Sequence, residues 1–114
     1  MLANFSFIQL ADPQFGLFAD RSGKTDEEIS AAAKRGQILK KTPKITGFAD
    51  ETRLFSLAIE QVQRSNPAFM VVSGDIINDA GNQDQIAEVK RIAALLDKSI
   101  TIRWVSGNHD VAFD

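Results

Sequence analysis

The sequence predicts an α/β fold in which parallel strands alternate with helices. Three short apolar segments have strand character, and each is followed by an oxygen-bearing side chain: Asp12, Asp75 and Asn108. Segments with helical periodicity separate them, and strand–helix–strand connections are almost always right-handed, which makes the strands parallel. The predicted order is therefore β-α-β-α-β, and the carboxyl ends of all three strands meet at one edge of the sheet.

The strands are predicted from alternation and from apolar runs. Residues 5–10 alternate and stop before Pro13, which cannot donate to a strand ladder. Residues 68–73 form a continuous apolar run, which is typical of a strand that is buried on both faces. The third strand is predicted over residues 99–106 and ends before Gly107.

Two longer helices are predicted from apolar stripes. The first spans residues 49–65, where Phe55, Ile59 and Val62 recur at helical spacing. The second begins at Asn82 or at Asp84. Its apolar stripe consists of Ile86, Val89, Ala93 and Leu96.

The segment of residues 16–47 is more polar than its neighbours and is predicted to be an insertion. It is either a lid-like wall over the site or an ordinary surface loop. Thr25 and Glu28 have the spacing of a capping box, which predicts one short helix. Gly36 is predicted to interrupt this helix or to cap its carboxyl end.

Composition limits the class of protein. The chain has 114 residues, 44% hydrophobic and 25% charged, which predicts a single globular domain over residues 1–114. The net charge of −2 creates no field that attracts nucleic acid, which argues against a nucleic-acid partner bound non-specifically and leaves specific binding open. The absence of cysteine excludes disulfides and thiolate zinc sites. Without a secretory signal or an apolar run of about 18 residues, we expect a cytoplasmic protein with no membrane span.

The strand-end side chains predict a metal site. Two ionised carboxylates about 4 Å apart repel each other by a few kcal/mol, unless one is protonated or a divalent ion lies between them. The alternative is that each aspartate only caps a turn or a helix, which explains one such position better than three. His109, the only histidine, follows Asn108, and its imidazole is predicted to protonate a departing alkoxide or to stabilise a phosphoryl oxygen. Asp110 is predicted to accept a hydrogen bond from it and to fix its tautomer.

Three motifs resemble the first three signature blocks of the calcineurin-like metallophosphoesterases. They are Asp-Pro-Gln from Asp12, Gly-Asp-Ile-Ile-Asn from Gly74, and Gly-Asn-His-Asp from Gly107, of which the last is the most specific. The resemblance extends from Phe7 to Asp110. It implies a metallophosphoesterase-type sandwich, of which this chain carries the parallel β-α-β-α-β half.

The resemblance also implies two divalent metal ions, whose identity among manganese, iron, zinc, nickel and magnesium the sequence leaves open. In the family pattern Asp12 binds the first ion, Asp75 bridges both, and Asn108 binds the second. Gln14 stands where most members have histidine, and an amide oxygen is a weaker ligand that prefers harder ions. By the same pattern His109 is the acid or transition-state donor, and Asp110 lies next to it.

The function predicted from these observations is hydrolysis of a phosphomonoester or phosphodiester by a metal-activated water. The class of phosphorylated substrate stays open. The histidine-bearing segments that complete both metal sites in the family are missing from these 114 residues. We therefore expect the amino-terminal part of a longer enzyme, which binds one ion or none and turns over little or no substrate.

Three further expectations remain open at this stage. The sheet face or edge left by missing strands is expected to make the chain self-associate. A non-enzymatic binding or regulatory module with a doubly wound sheet is an alternative from another functional class. A nuclease of the same superfamily is the enzymatic alternative.

Overall fold

The computed structural model describes residues 4–111, and its framework is a sheet of three parallel strands. Strand β1 spans Phe7–Ala11, β2 spans Phe69–Gly74 and β3 spans Thr101–Ser106, in the spatial order β1-β2-β3. Phe69 pairs with Phe7 on one side and with Thr101 on the other, so the strands start in register. The predicted parallel β-α-β-α-β arrangement is confirmed, although β1 and β3 each begin two residues later than predicted.

Helices occupy the connections between these strands. Within residues 4–111 they are α1 (Leu17–Arg21), α2 (Asp26–Lys34), α3 (Ala49–Ser65) and α4 (Gln83–Ala93), followed by a 3₁₀ turn at Asn108–Asp110. The bounds of α3 agree with the prediction. Helix α4 begins after Asn82, whose side chain accepts a hydrogen bond from the N–H of Gln85 over 3.1 Å. Asn82, and not Asp84, is therefore the cap. None of these helices is long and apolar enough to cross a membrane.

Helices α3 and α4 pack on the same face of the sheet. Met70 and Val72 of β2 point to that face and are fully buried. The chain steps from β1 to β2 and on to β3 in one direction, so two right-handed connections place both helices on one side. The core around Met70 and Val72 includes Phe55, Ile59 and Val62 of α3 and Val89 and Ile92 of α4.

The opposite face of the sheet is not covered by any part of residues 4–111. Phe69 and Val71 are only half-buried, while Phe7 is 54% exposed and Val105 is 53% exposed. The rings of Phe7 and Phe69 stack on this face with their centroids 5.1 Å apart. We call the surface formed by Phe7, Phe69, Val71 and Val105 the open face.

The open face corrects one prediction and bears on another. Residues 68–73 were expected to be buried on both faces, and this is wrong for the described part of the chain because both helices lie on one side. A doubly wound sheet carries helices on both faces. The architecture of the predicted binding-module alternative is therefore not present in residues 4–111.

The insertion of residues 16–47 contains two helices instead of one. The capping box of α2 is confirmed, because Thr25 Oγ1 accepts from the N–H of Glu28 over 3.2 Å and Glu28 Oε2 accepts from the N–H of Thr25 over 2.7 Å. Gly36 adopts φ +76° just after α2 and ends it, as predicted. Helix α1 was not predicted, since it has five residues and its first turn has no side-chain cap at Gly16.

Candidate metal centre

The loops after β1 and β2 run side by side beyond the sheet. The N–H of Asp12 donates to the carbonyl of Ser73 over 2.8 Å, and the N–H of Gln14 donates to the carbonyl of Asp75 over 2.9 Å. Phe15 then forms an isolated bridge with Ile77. These backbone bonds hold the first two predicted site segments next to each other.

Side-chain oxygens join all three strand-end loops. Oδ1 of Asp12 accepts a hydrogen bond from the N–H of Asp75 over 2.9 Å. Oδ1 of Asp75 in turn accepts one from the N–H of His109 over 2.9 Å. The structure therefore brings together Asp12, Asp75 and the Asn108–His109 pair, as expected from parallel strands that end at one edge.

Two glycines make this close approach possible. A Cβ on Gly74 would overlap Oδ1 of Asp12, and a Cβ on Gly107 would overlap Oδ1 of Asp75. Gly74 also adopts φ +87°, a conformation that side chains disfavour. Glycine is therefore required at the first position of both motifs for a steric reason.

The first loop is held in a strained conformation. Asp12 and Gln14 have φ values of +50° and +37°, in a region that non-glycine residues enter rarely and at some cost. The Nε2 group of Gln14 donates to Oδ1 of Asn78 over 3.2 Å. This contact ties the first loop to the second and leaves the amide oxygen Oε1 of Gln14 as the atom that can meet a ligand.

His109 is oriented by a backbone carbonyl. Its Nδ1 lies 2.8 Å from the carbonyl oxygen of Asn78. A carbonyl only accepts, so we assign the proton to Nδ1 and leave Nε2 for chemistry. Asn78 ends the Gly-Asp-Ile-Ile-Asn motif and was not among the predicted site residues, yet it contacts both His109 and Gln14. The Asn after Gly-Asp-Ile-Ile was the only sequence signal for it.

The predicted hydrogen bond from His109 to Asp110 is wrong. Oδ1 of Asp110 accepts from the N–H groups of Ile76 and Ile77 over 2.8 and 2.9 Å, and Oδ2 accepts from Gly107 over 2.7 Å. Both carboxylate oxygens thus accept from backbone donors, Oδ1 from the loop after β2 and Oδ2 from the residue that follows β3. Asp110 fixes the position of the third loop against the second, and the carbonyl of Asn78 takes over the predicted tautomer role.

Asn108 occupies the first position of the 3₁₀ turn and is exposed. Within residues 4–111 its side chain forms no hydrogen bond. Its neighbour His109 is tied to Asp75, so Asn108 lies beside the two carboxylates in the fold. Ligation of a metal by Asn108 stays a prediction.

A profile described as calcineurin-like phosphoesterase matches residues 5–114. The chain belongs to this family. The resemblance carried by the three motifs is thereby confirmed, and the observed sheet is consistent with the α/β half of the family's sandwich.

Curated proteins similar to this calcineurin-like phosphoesterase include serine/threonine-protein phosphatase CPPED1 from three vertebrates. The identity is 32% over 113 residues for Rattus norvegicus, 31% over 114 residues for Homo sapiens and 31% over 112 residues for Danio rerio. Each match covers 94% of this chain but only 31% of the rat and human proteins and 32% of the fish protein. The chain therefore spans about a third of the length of these relatives. No solved structure is significantly similar to it.

The donor atoms at this edge fit part of a metal centre. Asp12 and Asp75 each use Oδ1 for a backbone hydrogen bond, so Oδ2 of each carboxylate remains for a cation, together with the amide oxygen of Gln14. Hard ions such as Mg²⁺ and Mn²⁺ prefer oxygen donors of this kind. Among residues 4–111, however, no three His, Cys, Asp or Glu side chains gather closely enough to hold an ion.

Proposed function

We propose that this chain carries part of the active site with which a calcineurin-like phosphoesterase hydrolyses phosphoesters, with divalent ions held at the carboxyl edge of the sheet. The observation that carries the proposal is the chain of hydrogen bonds from Asp12 through Asp75 to His109. Both donors are backbone N–H groups, and the two bonds bring the Asp12 and Asp75 carboxylates and the backbone of His109 together at the ends of three parallel strands. Membership of the phosphoesterase family supports the same reaction class.

Asp12 and Asp75 would hold the ions, with Gln14 and Asn108 as amide ligands. Metal ions bound there supply positive charge for the phosphoryl oxygens and lower the pKa of a bound water. The left-handed conformations of Asp12 and Gln14 support a ligand role for both, because strained backbone persists where the surrounding structure requires it for a site.

His109 would act on the leaving oxygen. With Nδ1 held by the carbonyl of Asn78, the ring presents Nε2 as its free nitrogen. A protonated ring can donate from Nε2 to the departing alkoxide, and a neutral ring can accept the proton back from water. Asn78 fixes the ring plane and so positions the donor.

The donor count supports weak metal binding by the described residues. Two carboxylates and two amides are few ligands for two ions, since Mg²⁺ and Mn²⁺ take about six oxygen donors each and complete the set with water or further side chains. We therefore propose that the 114-residue chain binds one ion weakly and turns over little or no substrate. The similar proteins are named serine/threonine-protein phosphatase, which favours a phosphorylated protein side chain as the substrate.

Thermal unfolding with and without Mn²⁺ tests the metal site. Binding at 100 times the dissociation constant stabilises a folded protein by about 2.7 kcal/mol, which corresponds to a rise in Tm of several degrees. Asp12→Asn and Asp75→Asn should abolish this rise. Both variants keep an Oδ1 acceptor for the loop hydrogen bonds, so the fold should survive the exchange.

Asp50→Asn is the matched control, because Asp50 lies exposed in the first turn of α3 and is not among the site residues. It should keep the full Mn²⁺ response. An equal response in Asp12→Asn, Asp75→Asn and the parent chain would show that the ion binds elsewhere. Turnover of p-nitrophenyl phosphate with Mn²⁺ that disappears in Asp75→Asn would confirm hydrolysis and overturn the claim of low activity.

A further inference from the structure

A polar cavity of about 390 Å³ separates the candidate site from the insertion of residues 16–47. Gln14, Asn78 and His109 form its inner wall. Its volume lies at the lower end of the range for ligand pockets. The opposite wall comes from the insertion, and three of its side chains are cations: Arg21, Lys24 and Arg35.

The side chains that line this cavity are net positive, whereas the whole chain is net negative. The chain has a net charge of −2, yet the cavity wall carries three cations and a single carboxylate, that of Asp20. Within residues 4–111, none of the three cations lies within 4.0 Å of a carboxylate oxygen. Lys24 interacts at longer range with the Glu28 carboxylate, while the charges of Arg21 and Arg35 are available to an anion that enters the cavity.

Local contacts fix the segments that carry the cations. The Oγ of Ser22, which is buried, donates to the carbonyl of Ala19 over 2.8 Å and accepts from the N–H of Ile45 over 2.8 Å. The N–H of Gly23 donates to the carbonyl of Thr42 over 3.2 Å. These bonds hold Arg21 and Lys24, while the capping box and the turn at Gly36 define the two ends of α2 and so the place of Arg35.

A plainer role for two of these cations is to stabilise helices. Arg21 is the last residue of α1 and Arg35 follows the last residue of α2, where positive charge interacts favourably with the helix dipole. Lys24 lies between the two helices, where its plainer role is to attract the Glu28 carboxylate in the first turn of α2. These roles do not explain why all three face one cavity together with His109.

We propose that this wall, here called the basic wall (Arg21, Lys24 and Arg35), selects substrates that carry a second anionic group close to the phosphate being hydrolysed. The inference rests on the proposed phosphoesterase function and adds a substrate class to it. The scissile phosphate lies at the metal edge beside His109, and the second anion lies against the basic wall.

A phosphopeptide with an acidic neighbour is a substrate of this kind. Side chains two residues apart in an extended peptide lie about 6.6 Å from each other. A phosphate beside His109 and a second anion beside the basic wall would each contact residues that line the cavity. The second anion can be a carboxylate or another phosphate, since both accept hydrogen bonds from guanidinium groups.

Fluorescence anisotropy with labelled peptides tests the proposal without relying on turnover. The probes are phosphoserine peptides of one length whose flanking residues are glutamine, glutamate or a second phosphoserine, together with an unphosphorylated glutamate peptide. Each is titrated with the full chain in the presence of Mn²⁺. We expect the acid-flanked and doubly phosphorylated peptides to bind more tightly than the glutamine-flanked one, and whichever binds more tightly identifies the second anion.

Arg35→Gln should weaken binding of the anion-flanked peptides about two- to fivefold, and Arg21→Gln with Arg35→Gln should weaken it further, to about tenfold. Affinity for the glutamine-flanked peptide should not change. Arg103→Gln on β3 is the matched control, because Arg103 is exposed and lies outside the cavity. The preference should also fall as salt rises from 0.05 to 0.3 M, since exposed charges are screened.

Several outcomes decide the matter. The basic wall is not a selector if the chain binds glutamine-flanked and glutamate-flanked peptides with equal affinity. It is also not a selector if Arg35→Gln weakens the binding of both peptides equally. Either result leaves the proposed function standing. If Arg35→Gln lowers the Tm but leaves the preference for anion-flanked over glutamine-flanked peptides unchanged, the cations stabilise helices. That result also overturns the role of the basic wall as a selector. If no phosphopeptide binds although Mn²⁺ still raises the Tm, the selector fails alone. If neither phosphopeptide nor Mn²⁺ binds, the proposed function fails with it.

Discussion

The backbone N–H of Asp75 donates to Oδ1 of Asp12 over 2.9 Å, and this bond holds the loop after β1 against the loop after β2. The bond occupies one oxygen of Asp12 and leaves the other for a ligand. Asparagine also has an Oδ1 acceptor, so Asp12→Asn removes the negative charge and keeps the hydrogen bond from the N–H of Asp75. Charge and geometry at the site can therefore be tested separately.

Gly74→Ala should damage the site by geometry alone. The added Cβ would overlap Oδ1 of Asp12 in a backbone conformation with φ +87°. We expect a loss of roughly 3 kcal/mol or more in the free energy of unfolding, together with a loss of the Mn²⁺ response. Urea denaturation and thermal unfolding measure the two effects.

Gly36→Ala is the control for the backbone strain of Gly74→Ala. Gly36 also has a positive φ, +76°, but a Cβ there meets nothing within 4 Å. This variant should lose about 1–2 kcal/mol from strain alone and keep the Mn²⁺ response. Equal stability losses in the two variants would mean that contact with Asp12 contributes nothing.

Asp110→Asn should separate the third loop from the second. Asp110 accepts three backbone N–H groups with its two oxygens, whereas asparagine has one oxygen and would turn an N–H₂ group toward a donor. We expect a loss of roughly 1–3 kcal/mol in stability. Exposed Asp50→Asn should lose much less, and a similar loss in both variants would contradict a structural role for Asp110.

Stability at low pH should depend on Glu28. The hydrogen bond from the N–H of Thr25 lowers the pKa of the Glu28 carboxyl below its ordinary value of 4.5, with smaller contributions from Lys24 and Lys44. A pKa that is lower in the folded state stabilises the fold above the unfolded value, and this contribution is lost as pH falls through the folded pKa. Unfolding curves of Glu28→Gln should therefore be less pH-dependent below about pH 4.5 than those of the parent chain.

Glu27→Gln is the control for Glu28→Gln, because Glu27 is an exposed carboxylate in the same first turn that takes no part in the capping box. It should leave more of the acid dependence in place. If the two variants respond alike to pH, the capping box is not the source of the dependence.

The open face should make the chain self-associate. Phe7 and Phe69 stack flat on a sheet surface that carries Val71 and Val105 beside them, and sheets commonly bury such faces against a second sheet. A second copy of the chain is the expected occupant at high concentration. Light scattering should show a dimer or larger species that Phe7→Ser weakens, while Leu95→Ser, at a 66% exposed position on α4's carboxyl side, should not. A monomer at millimolar concentration would contradict this expectation.

The parallel sheet and its site edge could be predicted because they follow from connectivity. Apolar stripes such as Phe55, Ile59 and Val62 mark the crossovers, and right-handed crossovers bring the strand ends to one edge. Asp12, Asp75 and His109 were identified for that reason. The capping box of Thr25 and Glu28 is a local pattern, so it too was visible in the sequence.

Features that depend on which backbone groups lack partners could not be predicted. Asp110 was assigned to His109 as its sequence neighbour, but the unpaired N–H groups beyond β2 attract its carboxylate instead. The role of Asn78 depends on its carbonyl, which is common to every residue type. The apolar run of β2 predicts burial on both faces, whereas the structure covers one face only. Apolar sequence alone does not show which face of a strand another element covers.

Strand β1, which leads into Asp12, pairs on one side only within residues 4–111, whereas β2 pairs on both. Edge strands open locally more often than central ones, and the first acidic loop follows one of the two edge strands of this sheet, β3 being the other. An ion bound by both Asp12 and Asp75 would link the end of β1 to the end of the central strand β2. When Mn²⁺ is bound, amide hydrogen exchange along β1 should slow far more than exchange along β3. The rate at which β1 opens would then depend on how much of the chain has the ion bound.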